Sequence, residues 1–178
     1  MLLHDTWFSE SNNQSDKIKM VPTKITFIAI LAIIYFAGIP SDVYGVSSAS
    51  PWWTHFTYPF MHGSLIHLLS NTYALWFCFK KKMSPKIIPP IYLMSVLASF
   101  IASSSIPIVG CSGMIFSIIG INLTSAPTKR NIIYVTIILI VGFIIPHIAG
   151  AIHFVCFIQG VAVSTIYKNI NHFRNDCL

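Results

Sequence analysis

Gly110-Cys111-Ser112-Gly113-Met114-Ile115-Phe116-Ser117-Ile118-Ile119-Gly120-Ile121 is a small polar turn running straight into an apolar helix. A serine flanked by glycines at a helix start has close backbone neighbours, and the first orphan N–H groups of the helix point toward its oxygen. The same small residues also suit tight packing between membrane helices, so the motif by itself leaves both readings open. The apolar run ends near residue 123, and the next basic pair is Lys129-Arg130. With that pair at one membrane surface, a helix this short must begin below the other. Residues 106–110 then descend to it as irregular backbone, which is tolerated at depth only when buried or lining a wet cavity. Ser112 belongs on the floor of such a cavity.

The rest of the chain is built for a membrane. Of its 178 residues 54% are hydrophobic and only 9% charged, with a mean hydropathy of +0.71; soluble proteins carry about 25% charged residues. All eleven Lys and Arg fall in four clusters, at 17–24, 80–86, 129–130 and 168–174. Excess Lys and Arg stays on the cytoplasmic side. The net charge of +6 is therefore a topology signal and not a nucleic-acid patch. Between the clusters lie apolar runs at about 25–39, 65–79, 87–102, 112–123, 132–145 and 148–167, to be set against the roughly 20 residues that span a bilayer. Six spans with both termini inside satisfy every cluster.

The expected organisation is a cytoplasmic tail over 1–23, one all-α polytopic membrane domain over 24–168, and a cytoplasmic tail over 169–178. There is no internal repeat and no separate soluble domain. The first apolar run lacks a small-residue cleavage motif and reads as an anchor; with no transit peptide in view, the expected membrane is a bacterial inner one. Residues 40–64, with Tyr44, Trp52, Trp53, Phe56, Tyr58 and Phe60, read as a loop lying partly inserted at the outer interface, where aromatic rings prefer to sit. Cys78, Cys111, Cys156 and Cys177 show no C-x-x-C spacing and read as small hydrophobes, not as disulfides or a metal site.

Polar groups within spans are expensive and are functional candidates by default. His67 and Asn71 lie four residues apart on one helix face, Ser112 opens the fourth span, and His153 and Gln159 lie on the sixth. All but Gln159 belong to the outer half of the membrane. Two donors from His67 and Asn71, with the Ser112 N–H, suit a developing oxyanion, although such residues also join helices as simple hydrogen-bonding glue. His153 can serve as the base that takes the serine proton. No carboxylate lies between Asp42 and Asp176. The chemistry therefore reads as a Ser–His dyad, with the imidazole oriented by packing, for instance on Phe116. The same absence argues against a proton pump or cation carrier.

These residues carry a resemblance. The run from Tyr58 to Asn71, with His62, His67 and Asn71 in H-x-x-x-x-H-x-x-x-N spacing, resembles the signature of rhomboid intramembrane serine proteases. Gly110-Cys111-Ser112-Gly113 is similar to that family's G-x-S-G, and His153 with Gly160 to its sixth-span H-x-x-G-x-x-x-G. The resemblance implies a six-helix rhomboid-like bundle with Ser112 as nucleophile and His153 as base. It assigns His67, Asn71 and the Ser112 N–H to the oxyanion hole, and His62, Gly110, Gly113, Phe116 and Gly160 to cavity or dyad support. It further implies a cofactor-free and metal-free endopeptidase whose partners are the bilayer and the transmembrane segments of other proteins, cut near the outer face.

Three positions depart from the family pattern. Trp53-Thr54 stands where the family has Trp-Arg, which removes the usual anchoring bonds of the first external loop. Cys156 replaces the first glycine after the histidine, which would hold the fourth and sixth helices further apart. His147-Ile148-Ala149-Gly150 offers a second H-x-x-G match; His153 is preferred because about 15 residues separate it from Lys168, which matches the depth of Ser112. Two other classes compete. One is a catalytically inactive relative that binds transmembrane helices as a chaperone or adaptor. The other is a haem or metal protein using His67 and His153, which offers only two ligands at one depth.

Overall fold

The computed structural model describes residues 14–80, 83–145 and 149–176, with side chains over 21–80, 83–145 and 149–170. Among these the secondary structure is helical: α1 (Gln14–Phe36), one-turn α2 (Ser41–Tyr44) and α3 (Thr54–Thr57), α4 (Leu65–Cys78), α5 (Ile88–Ser99), α6 (Ser112–Ser125), α7 (Lys129–Ile144) and α8 (Gly150–Asp176). Short 3-10 turns, Tyr58–Phe60 and Pro85–Ile87, lead toward α4 and α5.

Local chemistry sets these boundaries. Ser64 caps α4 by accepting from the His67 N–H at 3.2 Å, and Thr128 caps α7 by accepting from Asn131 at 3.1 Å. Pro89 and Pro90 fall in the first turn of α5, where a missing N–H costs little.

Helix α6 is the centre of the bundle. Its residues from Gly113 to Ile118, with Gly120 and Ile121, are buried, and it touches α4, α5, α7 and α8. One apolar cluster joins Leu31, Leu68, Leu75, Ile91, Met114 and Ile118; a smaller one joins Ala98, Phe116, Ile152 and Cys156. The outside of the bundle is apolar as well: Ile33, Phe36, Ile66, Tyr73 and Ile144 are each at least two-thirds exposed. Such a surface suits lipid and not water. Gly150–Ile170 is long and apolar enough to cross a membrane, while Val21–Phe36 and Ser112–Ser125 are apolar but shorter. At 1.5 Å per residue, the 14 residues of α6 cover only about 21 Å.

The expected spans and the observed helices differ at both ends of the chain. Helix α1 begins at Gln14, eleven residues before the apolar run, and passes through Pro22. Helix α8 continues beyond Lys168 to Asp176. Helical hydrogen bonding runs on past the apolar pattern in both, and only the pattern is visible in sequence.

Lys24 ties α1 to the end of α4. It is buried on α1, donates from Nζ to the carbonyls of Trp76, at 2.9 Å, and Phe79, and lies 5.3 Å from the Trp76 ring centroid. Asn122 donates to the Cys78 carbonyl at 2.8 Å. These bonds satisfy carbonyls that the end of α4 would otherwise leave open. Lys24→Met should therefore lower stability by about 1.5–3 kcal/mol, the usual contribution of hydrogen bonds from a charged donor. Thermal unfolding in detergent would read the loss, with Asn122→Ala giving a smaller one.

Candidate active site

The descending segment expected at 106–110 is held along one edge by the loop between α1 and α4. Val46 and Ile108 form an antiparallel bridge with bonds of 2.9 and 2.7 Å, and the Ser48 N–H donates to the Ser104 carbonyl at 2.8 Å. The segment ends at Gly110, whose φ of +111° is a conformation that disfavours any side chain. Its N–H donates to the Tyr58 carbonyl at 2.9 Å. A Cβ on Gly110 would lie 2.8 Å from His67 Cε1 and Nε2 and 2.9 Å from Asn71 Nδ2. The tips of His67 and Asn71 thus occupy the space a side chain would take, two residues before Ser112.

Ser112 opens α6, and its Oγ is 2.7 Å from His153 Nε2 on α8. The His153 ring stacks on Phe116, one turn into α6, with centroids 4.4 Å apart and an interplanar angle of 13°. His153 Nδ1 is buried and has no hydrogen-bond partner among the described residues. The contacts of this imidazole among the described residues are thus the Phe116 ring and the Ser112 hydroxyl. Asn71 Nδ2 lies 3.2 Å from His62 Nε2, and the His62 and His67 rings are 5.1 Å apart. Burial, with His67 beside it, pushes the His62 imidazole down to about 4. His62, in the loop before α4, is uncharged at neutral pH, so its Nε2 can accept one Asn71 hydrogen and leave the other pointing elsewhere.

The glycines account for the fit of α6 on α8. Gly160 lies directly against the Ser117 backbone, and Gly120 against the backbone of Phe157 and Val161, leaving no room for a Cβ at either. Cys156 does not hold the helices apart, contrary to the expectation: it is fully buried, its Sγ 3.2 Å from where a Gly113 Cβ would be. The sulfur fills space that Gly113 leaves open, and α6 and α8 share the largest interface in the bundle.

The first loop is likewise anchored without an arginine. Thr54 is fully buried, donates from Oγ1 to the Pro51 carbonyl at 2.7 Å and lies 2.9 Å from Ser50 Oγ. His55 Nδ1 is 2.7 Å from Ser99 Oγ and its ring stacks on Phe100. Tyr92 Oη donates to the Phe56 carbonyl at 2.8 Å. Gln159 stands apart from the cluster, with a buried Oε1 that has no partner among the described residues. His147 lies outside the described residues. Tyr58, at the start of the signature run but given no role by it, and Ser95, in no motif, border the Ser112 turn.

A family model for the Rhomboid domain matches residues 49–170, more than half of the chain. The chain belongs to the rhomboid family. This rhomboid is accordingly an integral membrane protein, in a family whose members are generally serine proteases acting on membrane-protein substrates within the bilayer. Among individually curated proteins, none matches it.

Proposed function

We propose that this rhomboid is an intramembrane serine endopeptidase working through a Ser112–His153 dyad, in a six-span domain with both termini cytoplasmic. The observation that carries the reading is the 2.7 Å approach of His153 Nε2 to Ser112 Oγ. It is supported by His67 and Asn71 gathered at Gly110 and by the shortness of α6. With Ser112 Oγ and His153 Nε2 in hydrogen-bond reach, the helix-binding reading has no observation of its own in its favour.

The chemistry follows from the geometry. His153 Nε2 takes the Ser112 proton as Oγ attacks the carbonyl carbon of a peptide bond. The electron pair of the carbonyl moves onto oxygen, where His67, Asn71 Nδ2 and the Ser112 N–H are the donors we assign to it. The imidazolium then gives its proton to the leaving amine and the C–N bond breaks, leaving an acyl ester on Ser112. Water, deprotonated by the same imidazole, cleaves the ester and restores the serine. A peptide bond within a helix is inaccessible to this attack, so the substrate helix must unwind near the outer face, which favours helices rich in small residues.

The test is cleavage of a panel of transmembrane reporter helices by purified protein in vesicles. Cleavage near the outer end of a reporter is expected, and a well-folded protein that cuts none would point to the helix-binding reading. Asn71→Ala should slow the reaction only in part: one donor of three is lost, at most about 2.7–4 kcal/mol of transition-state stabilisation. Comparing kcat for this variant with wild type checks the estimate.

A further inference from the structure

We propose that Tyr58 is a positioning residue that clamps the Ser112 turn from both sides, an inference that rests on the protease reading. Tyr58 is 1% exposed and is among the largest fully buried side chains of the fold. Its backbone carbonyl accepts the Gly110 N–H at 2.9 Å, on the upstream side of Ser112. Its phenol reaches in the other direction, with Oη 2.8 Å from the Ser95 carbonyl and 2.6 Å from Ser95 Oγ on α5. Ser95 Oγ in turn lies directly against Gly113, the residue downstream of Ser112.

The hydroxyl protons fit one arrangement. Tyr58 donates to the Ser95 carbonyl, and the Ser95 hydroxyl donates back to Tyr58 Oη, closing a two-bond link between the loop and α5. Gly113 has no side chain to resist displacement, so the side chains packed on it, Ser95 with the nearest atom and Cys156 beside it, set where the first turn of α6 sits. Tyr58 therefore fixes the turn through Gly110 by its backbone and through Ser95 and Gly113 by its phenol. None of its atoms needs to touch substrate. A displacement near 1 Å at a nucleophile can slow attack about 10²-fold, and a smaller one by less.

The experiment is steady-state cleavage of a reporter helix, normalised by fluorophosphonate titration of active sites, for wild type, Tyr58→Phe, Ser95→Ala and the double variant. Normalisation separates the roles: a merely structural defect lowers the fraction of protein that titrates, whereas a positioning defect lowers kcat per titrated site. Tyr58→Phe should lower kcat roughly ten-fold with KM unchanged, and Ser95→Ala should do the same. The double variant should be no slower than the slower single variant, because both break one link. If Tyr58→Phe does not fold, Ser95→Ala, which leaves the phenol in place, carries the test alone. Wild-type kcat per site in the folded variants, or losses that multiply in the double variant, would overturn the positioning role. A folded wild type that neither titrates nor cleaves would overturn the protease reading, and this role with it.

Discussion

Ser112→Ala and His153→Ala should each reduce reporter cleavage by at least about 10⁴-fold, the scale on which a nucleophile or its base is lost from serine hydrolases. The double variant should be no slower than either single one. Oγ and Nε2 form one 2.7 Å pair, and neither atom attacks without the other. The fold should survive both changes. Ser112 is half-buried and its hydroxyl is bonded to His153 alone among the described contacts, so its removal costs on the order of 1 kcal/mol. Phe116 still packs on its neighbours when the imidazole is gone. Unfolding temperatures near wild type beside lost cleavage are the expected result. Multiplying losses in the double variant would mean that the two residues act separately.

Gly110→Ala should be nearly as damaging to activity, and unlike the dyad variants it should also weaken the fold. Alanine must either adopt a φ of +111° or twist the descending segment, at about 1–3 kcal/mol for a residue held in a sparsely populated region. Even with that cost met, its Cβ would press on His67 and Asn71 at 2.8–2.9 Å and drive both donors from the place assigned to the oxyanion. A shift near 1 Å costs about 10²-fold in rate. Cleavage assays together with thermal unfolding should show both losses, while Gly63→Ala, with its nearest neighbour at 3.8 Å, should show neither.

The contrast between these positions shows what the chain's one-dimensional pattern can carry. The apolar runs and the basic clusters are local features, and they place α4, α6 and α7 to within a few residues. The depth argument from the shortness of α6 likewise needed only lengths, and the structure brings His153 to Ser112. Contacts made across the bundle were not legible. Nothing in Trp53-Thr54 announces that Thr54 is buried and bonded. Nor does a lone Cys156 announce that it faces a glycine with room for its sulfur. Tyr58 was one ring among several in an aromatic loop. Its contacts with Ser95, 37 positions away, exist only once the loop has folded over α5. The start of α1 is hidden for a different reason: polar residues there mask a helix that hydrogen bonding continues.

The most direct test of the central claim is site-resolved mass spectrometry of the folded protein after treatment with a fluorophosphonate. The account predicts one covalent adduct on the peptide containing Ser112, formed in wild type and slowed at least a hundred-fold in His153→Ala. An adduct on another residue, or a folded protein whose Ser112 stays unmodified, would contradict it.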